Sequence, residues 1–179
     1  MSDAAGEYGQ GLYLLACEEG TAEEMLAEVR ELCTLFAEEP DYRVLLATPT
    51  IPREERLALL DTAFAGRIMP HILSFMKLMT ERGYASAIPE ALGAFIDAYR
   101  AAAGITVAEV VSAVPLTEGE QADLIARLSR MTGKTVELRL SVDAALLGGM
   151  RVTVDGKLHD GTVKGRLARI GRKLNDQPI

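Results

Sequence analysis

Hydrophobic residues recur at helical spacing through the first hundred residues of the chain. From Thr21 onward, apolar side chains lie three and four positions apart until Pro40 ends the run, which is the period of a helix with one buried face. Thr21 followed by Glu24 also predicts a capping box at its start. The other helical runs begin near Tyr8, at Pro52, at Pro70 and after Ser86. The pattern therefore predicts that the first half of the chain is entirely helical.

The hydrophobic period changes to that of a strand beyond Gly104. Residues 135–142 alternate strictly between apolar and polar side chains, and residues 150–154 repeat this alternation. A further strand is predicted from Ile105 until Pro115 stops it. Each strand is expected to have one buried face. In residues 135–142 that face is formed by Val136, Leu138, Leu140 and Val142.

Two helices complete the second half of the chain. Thr117 and Glu120 form a capping box before the first of them, and the second is expected to begin immediately after Asp160. Their apolar faces are formed by Leu124, Ile125, Leu128 and Met131, and by Val163, Leu167, Ile170 and Leu174. The predicted order is strand, helix, strand, strand, helix. The sequence thus predicts an α+β protein with a helical domain at residues 1–104 and a small α+β domain at residues 105–179.

Composition places the chain among soluble globular proteins, and its charge is unevenly distributed. The chain has 179 residues and a net charge of -7, and it contains no apolar run of the roughly 18 residues that a spanning helix needs. Acidic residues outnumber basic ones by 17 to 8 in residues 1–104, whereas basic residues outnumber acidic ones by 7 to 3 after residue 150. This asymmetry indicates either differently charged partners or simply solvated faces. The start of the chain lacks a signal or transit pattern, so a cytoplasmic location is expected.

The stretch at residues 154–165 contains two Asp-Gly pairs and is the strongest candidate for a phosphate or metal loop. Its spacing matches neither a Walker loop nor an EF-hand. Asp155-Gly156 instead has the composition of a type I′ hairpin turn, in which both central residues need positive φ. Asp160, followed by Gly161, stands where an N-cap of the last helix is expected. The structural interpretation is favoured, and a small enzyme with a phosphate-binding loop here remains the alternative.

Other residues that could take part in catalysis or metal binding do not have the spacing that such sites need. Gly148 and Gly149 match no dinucleotide fingerprint and are expected to permit a close backbone approach where a strand begins. Neither His71 nor His159 has a second histidine, a nucleophile or a cysteine at a suitable distance along the chain. The two cysteines, Cys17 and Cys33, are expected to be buried, reduced thiols. No catalytic residue, cofactor site or metal site is therefore predicted.

A basic last helix makes nucleic-acid binding a further alternative. Its positive residues are Lys164, Arg166, Arg169, Arg172 and Lys173. Readers of single-stranded RNA stack bases on aromatic side chains of a sheet, yet the last aromatic residue of this chain is Tyr99, which precedes all predicted strands. Binding of nucleic acid is therefore not expected.

Two helices of the first half carry more apolar surface than one core requires. Tyr13 and Leu14 lie outside the stripe of Tyr8, Leu12 and Leu15, so the first helix is expected to be buried on more than one side. Glycines within this helix, at a cost of about 1 kcal/mol each relative to Ala, suggest that another backbone comes close. Leu78 projects among Ser74, Lys77 and Arg82. Either the core is thick or a groove accepts a partner's amphipathic helix.

Five segments carry a family resemblance that spans the chain in order. They are Y-G-Q-G-L-Y-L-L-A (8–16), S-F-M-K-L-M-T-E-R-G-Y (74–84), V-V-S-A-V-P-L (110–116), V-D-A-A-L-L-G-G-M (142–150) and D-G-T-V-K-G-R-L (160–167). Together they resemble the delta subunit of the F-type ATP synthase, called the oligomycin sensitivity conferral protein in mitochondria. The C-terminal motifs are the most specific of the five.

This resemblance implies a six-helix N-terminal domain that binds the N-terminal helix of an alpha subunit, in a groove between its first and fifth helices. Carried over by position, the groove residues are Tyr8, Gly11, Leu12 and Leu78. The chain departs from the family at Gly9 and Gly11, where Ala is common.

The resemblance further implies that the smaller C-terminal domain binds the b subunits of the peripheral stalk. The chain is then a non-catalytic stator subunit without a cofactor, which couples rotation to ion flow by holding the catalytic head still. It is expected at the cytoplasmic side of the bacterial cell membrane, peripheral to it through the complex.

Overall fold

The computed structural model of the chain describes residues 3–48 and 50–165. The chain divides into two compact units, Met1–Ala102 and Ala103–Ile179. The described part of the first unit is helical, and that of the second combines helix and sheet. The predicted α+β class is thus confirmed. The boundary between the units falls two residues before Gly104, where the hydrophobic period changes.

The helices of the first unit begin and end at residues suited to helix termini. Pro70 stands at the first position of its helix, where a missing N–H costs nothing, and Gly66 and Gly83 follow helix ends with positive φ. The helices are α1 (Asp3–Glu18), α2 (Ala22–Glu38), α3 (Pro40–Ala47), α4 (Arg53–Phe64), α5 (Pro70–Glu81) and α6 (Ile88–Ala102), with a 3₁₀ turn at Ala85–Ala87. Of these, α3 is too short for its hydrophobic pattern to have predicted it.

The core of the first unit lies where α6 packs against α1 and α2, and where α5 packs against α4. Side chains that the helical period places on inward faces are buried, among them Met25, Val29, Leu60, Met76 and Leu92. Burial of such side chains contributes roughly 1.5–3 kcal/mol each, which is the main stabilisation of these helices.

The two predicted capping boxes have different outcomes. Thr117 accepts a hydrogen bond from the Glu120 N–H at 3.4 Å, and the Glu120 carboxylate accepts one from the Thr117 N–H at 2.9 Å, so this box is confirmed. The prediction for Thr21 is wrong, since its side chain makes no capping hydrogen bond. Its hydroxyl lies 3.6 Å from the Met25 sulfur instead.

The second unit is built around a mixed four-stranded sheet. Its elements are β1 (Ile105–Ser112), α7 (Glu118–Thr132), β2 (Thr135–Val142), β3 (Met150–Val154) and β4 (Lys157–Asp160), with a 3₁₀ turn at Ala144–Leu146. The strand order is β2-β1-β3-β4. β1 and β2 are parallel, with α7 as the crossover between them, whereas the other pairs are antiparallel. β4 is absent from the predicted order of elements because its four residues include a single apolar side chain, Leu158.

Burial in the second unit is less extensive than the alternation predicts. On β2, Val136 is buried, but Leu140 and Val142 are 41% and 55% exposed. Leu128 is buried on α7, whereas Met131 is exposed. Alternation fixes the face that a side chain occupies, but not how far the covering helix extends over that face. Helical structure resumes at Val163, and the predicted positions Leu167, Ile170 and Leu174 lie outside the described residues.

Candidate functional site

An apolar cavity of about 670 Å³ opens between α1 and α5 in the first unit. Helix α1 packs mainly on α6, which leaves its other side facing α5 across this groove. The groove is lined by Ala4, Glu7, Tyr8, Gly11, Leu12 and Leu15 of α1, by His71, Ser74, Phe75 and Leu78 of α5, and by Tyr84. The structure therefore brings Tyr8, Gly11, Leu12 and Leu78 to a single groove.

The lining residues divide into a buried floor and an exposed rim. Leu12 and Phe75 are 4% and 7% exposed and belong to the hydrophobic core as well as to the groove. Leu15 and Leu78 are 38% and 39% exposed. The helical pattern of α5 predicts this position of Leu78 outside the core. Removing exposed leucines and an apolar floor from water lowers the free energy, so this surface favours a partner that covers it.

The two glycines of α1 have different roles. A β-carbon on Gly9 would collide with the Ala91 carbonyl oxygen and would lie 2.7 Å from the Ala94 β-carbon. The predicted close approach of another backbone is thus present at Gly9. At Gly11 the same prediction is wrong within the fold, because a β-carbon there would meet nothing within 4 Å. Gly11 therefore leaves open space in the wall of the groove.

The second apolar side of α1 is partly buried, as the pattern predicts. Tyr13 packs edge-on against Phe95 and Tyr99 of α6, with ring centroids 5.8 and 6.3 Å away. A hydrogen bond with Cys17, together with burial, raises the pKa of Tyr13. Leu14, in contrast, is 62% exposed and does not line the groove, so its predicted burial is wrong. The predicted burial of Cys17 is wrong as well, since this residue is exposed.

The rim of the groove includes residues that the pattern did not indicate. Tyr84 follows α5, outside any periodic run, and its ring lies 6.0 Å from that of Tyr8. His71 lies at the other end, with its Nε2 atom 3.3 Å from a carboxylate oxygen of Glu19. Their positions depend on how α1 and α5 pack, which the spacing of apolar residues along each helix does not encode.

The first Asp-Gly pair of residues 154–165 forms the predicted hairpin turn between β3 and β4. Asp155 and Gly156 have φ values of 47° and 72°, as a type I′ turn requires. The Asp155 carboxylate accepts a hydrogen bond from the Thr106 hydroxyl at 2.7 Å and lies 3.2 Å from the Lys134 ammonium. The Thr106 hydroxyl, and then Lys134, hold the pKa of Asp155 below its ordinary value. The turn is therefore tied to β1 and to the connection between α7 and β2.

The second Asp-Gly pair, Asp160-Gly161, stabilises the start of the last helix, but the N-cap lies two residues after the predicted position. Asp160 accepts hydrogen bonds from the Thr162 N–H at 2.9 Å and from the Thr162 hydroxyl at 2.7 Å. The Thr162 hydroxyl oxygen in turn accepts one from the Gly165 N–H at 2.9 Å. Because helical structure begins at Val163, Thr162 is the N-cap and Asp160 orients its hydroxyl.

The glycines of the C-terminal motifs meet around this cap. Gly161 donates its N–H to the Met150 carbonyl oxygen at 3.0 Å, and Val163 donates to that of Gly148 at 3.1 Å. A β-carbon on Gly149 would lie 2.6 Å from the Gly161 carbonyl oxygen. The predicted close backbone approach is therefore present at Gly149.

Other site candidates are dispersed. His71 lies on α5 and His159 on β4, in different units. Within the described ranges, no three His, Cys, Asp or Glu side chains cluster closely enough to hold a metal ion. The basic residues Arg166, Arg169, Arg172 and Lys173 lie outside those ranges. Among the described residues, no helix combines the length and apolar character needed to cross a membrane.

The fold and the groove define a class of protein. A wide apolar groove between two helices, with exposed leucines on its rim, is the kind of site that receives an amphipathic segment of another protein. The described residues thus form an α+β protein with a surface of the kind that binds other proteins.

Comparison with known proteins gives the family. The family model described as ATP synthase delta (OSCP) subunit matches residues 4–174. The chain therefore belongs to the ATP synthase delta (OSCP) subunit family, as its motifs indicated. Subunits of this family are non-catalytic stator components of the ATP synthase, and the chain is accordingly not an enzyme.

Relatives cover nearly the whole chain. The ATP synthase subunit delta of Prochlorococcus marinus (strain MIT 9211) is 32% identical over 168 residues, which span 93% of this chain and 92% of the relative. That of Rhodospirillum rubrum is 33% identical over 172 residues, with 95% and 92% covered. A chain of the cryo-EM structure of the Toxoplasma gondii mitochondrial ATP synthase hexamer superposes with a TM-score of 0.73 and covers 99% of this chain at 15% identity, which shows a shared fold.

Proposed function

We propose that the first unit is the six-helix domain that binds the catalytic head, and that its α1–α5 groove holds the N-terminal amphipathic helix of an alpha subunit. One observation carries this proposal: Tyr8, Gly11, Leu12 and Leu78 line a single apolar groove whose rim leucine is 39% exposed. An isolated leucine on a surface needs no explanation, but a leucine at the rim of a continuous apolar groove favours a partner.

The second unit would bind the b subunits of the peripheral stalk at the cytoplasmic side of the membrane. Support comes from its exposed apolar side chains, Leu140, Val142 and Leu147, of which the last is 78% exposed. With one unit on the head and the other on the stalk, the chain resists the torque that the rotor exerts on the head. Ion flow then drives catalysis elsewhere in the complex rather than rotation of the head.

The groove is tested with the full chain and a synthetic peptide of the alpha subunit's N-terminal helix. Leu78→Asp should change the melting temperature little, because the residue is solvent-accessible. The expected change in the free energy of unfolding is within about 0.5 kcal/mol. Binding of the peptide would bury an unpaired carboxylate, so the affinity measured by titration calorimetry should fall by about 2 kcal/mol or more.

Leu14→Asp is the matched control. Leu14 is a leucine of α1 that is 62% exposed and lies outside the groove, so the same substitution should leave peptide affinity unchanged. If the Leu78→Asp variant and the native chain bound the peptide with equal affinity, the groove would not be the peptide's binding site.

A further inference from the structure

A second and larger groove lies in the first unit, between α2, α3 and α4. Its volume is about 1020 Å³, and it shares no lining residue with the α1–α5 groove. Leu32 and Phe64 form a buried floor, at 3% and 7% exposure. Leu35 and Leu45 are 38% and 37% exposed beside it. The α2–α4 groove thus has the same apolar construction as the first, on a different set of helices.

The rim of the α2–α4 groove is strongly acidic. Among its lining residues, five are carboxylates and one, Arg67, is basic. Glu28 serves the fold, since its carboxylate accepts a hydrogen bond from the Met69 N–H at 2.6 Å. The remaining carboxylates make no ion pair within 4.0 Å among the described residues; they are Glu31, Glu38, Glu39 and Asp41.

Asp41 lies in the first turn of α3, where a carboxylate complements the helix dipole. Carboxylates gathered around an apolar groove nevertheless repel one another, and a cation placed among them would relieve that repulsion. A segment with an apolar face flanked by Lys or Arg satisfies both features at once, because its leucine-like side chains cover the floor while its cations neutralise the rim. The same charges repel nucleic acid and anionic lipid surfaces. The α1–α5 groove differs, since its lining contains a single carboxylate, that of Glu7.

We propose that the α2–α4 groove binds a basic amphipathic helix of a partner protein, a segment distinct from the one in the α1–α5 groove. The floor recognises the apolar face, and the four unpaired carboxylates select the positive flanks. The proposal stands independently of the occupant of the first groove.

The test uses the full chain and a fluorescent synthetic peptide of leucine and lysine, with leucine at helical spacing along one face. A peptide of the same composition in scrambled order lacks the apolar face. We expect saturable one-site binding of the first peptide by fluorescence anisotropy, and at least about tenfold weaker binding of the scrambled one. Comparable binding of both peptides would mean general attraction to an acidic protein, and would overturn the proposal.

Charge reversal locates the site. Glu31→Lys/Glu38→Lys should weaken binding by about tenfold or more, because two rim carboxylates become cations that face the peptide. Glu18→Lys/Asp123→Lys changes the net charge equally at exposed positions outside both grooves, and should alter affinity less than about twofold. Equal weakening by the two double variants would refute the assigned location.

The Leu35→Asp variant distinguishes binding of the peptide in the groove from non-specific electrostatic attraction. It adds a negative charge, so non-specific attraction to the cationic peptide would strengthen, whereas insertion of a carboxylate beside the apolar floor should weaken groove binding by about tenfold. Leu14→Asp is again the control for the added charge, and Leu78→Asp should leave this binding intact. Stronger binding by Leu35→Asp would contradict the proposal, provided that circular dichroism shows native melting for each variant.

Discussion

The carbonyl oxygen of Ala91 in α6 occupies the space that a side chain at position 9 of α1 would need. A β-carbon built on Gly9 would also lie 3.0 Å from the Phe95 N–H nitrogen, so three atoms of one helix surround that point. The two helices therefore approach as closely as their backbones permit. Because α1 is held against α6 in this way, the side of α1 that carries Tyr8 and Leu12 faces the groove.

The first prediction compares Gly9→Ala with Gly11→Ala. Alanine is the better helix former by about 1 kcal/mol, so helix propensity alone predicts stabilisation by both changes. At Gly9 the added methyl group must push α6 away, and we expect a net loss of about 1–3 kcal/mol in the free energy of unfolding. At Gly11 nothing lies within 4 Å, so the propensity gain should remain.

Urea denaturation of both variants measures the difference. If Gly9→Ala stabilised the chain as much as Gly11→Ala, the close packing of α1 on α6 would be wrong.

The capping boxes show how far sequence alone could predict the fold. Thr21 and Thr117 each precede a glutamate by three residues, yet only Thr117 has the extended backbone of an N-cap, with ψ of 158°. At Thr21, ψ is 10°, because the short connection from α1 holds this residue by a hydrogen bond from its N–H to the Ala16 carbonyl oxygen. Local sequence provides the capping side chain, whereas the tertiary connection decides the backbone angle that capping needs.

The same distinction applies to the candidate sites. Leu78 could be predicted because its exposure follows from the period of a single helix. Tyr84 could not, since it contributes to the groove only through the packing of α1 against its neighbours. The α2–α4 groove could not be predicted from the sequence either. Part of its lining comes from α3, which has too few turns to give a periodic hydrophobic pattern.

A second prediction concerns the independence of the first unit. Among the described residues, its hydrophobic core is formed by side chains between Ala5 and Tyr99, so a fragment of residues 1–104 should retain this buried surface. We expect this fragment to be helical and to melt cooperatively by circular dichroism. Binding of the alpha-subunit peptide by the fragment would serve as the control for native structure. A helical signal that declined without a cooperative transition would show that the first unit requires the second.

The third prediction is a pH dependence that arises from Asp155. Hydrogen bonds from Thr106 and Lys134 lower its pKa in the folded state, so the unfolded chain binds the proton more tightly. The stabilisation is therefore complete above the ordinary Asp pKa of about 4, and is lost as the pH falls through the lower folded pKa. Asp155→Asn, which keeps a residue tolerant of positive φ, should reduce this acid-induced loss of stability.

Urea denaturation near pH 7 and near pH 3 measures the effect. Asp123→Asn is the control, because Asp123 has no hydrogen bond or ion pair among the described residues. An unchanged difference between the two pH values in Asp155→Asn would assign the acid sensitivity to other carboxylates.

The last prediction tests the relay that caps the final helix. Thr162 is 1% exposed, and its hydroxyl group both donates to Asp160 and accepts from the Gly165 N–H. Thr162→Val keeps the shape but removes both hydrogen bonds, and should cost about 1–2 kcal/mol in the stability of the second unit. Asp160→Ala should cost a similar amount, because it leaves the Thr162 hydroxyl and N–H without their acceptor. Thr135→Val, at an exposed position of β2, should be nearly neutral.

If Asp160 acts by orienting Thr162, the two losses must overlap. The double variant Asp160→Ala/Thr162→Val should then be more stable than the sum of the single losses predicts, with a coupling energy of at least about 0.5 kcal/mol in a double-mutant cycle from urea denaturation. Asp160→Asn retains an acceptor oxygen and should lose less than Asp160→Ala. Strict additivity would mean that each residue stabilises the helix separately, and that Asp160 caps it directly, as the sequence first indicated.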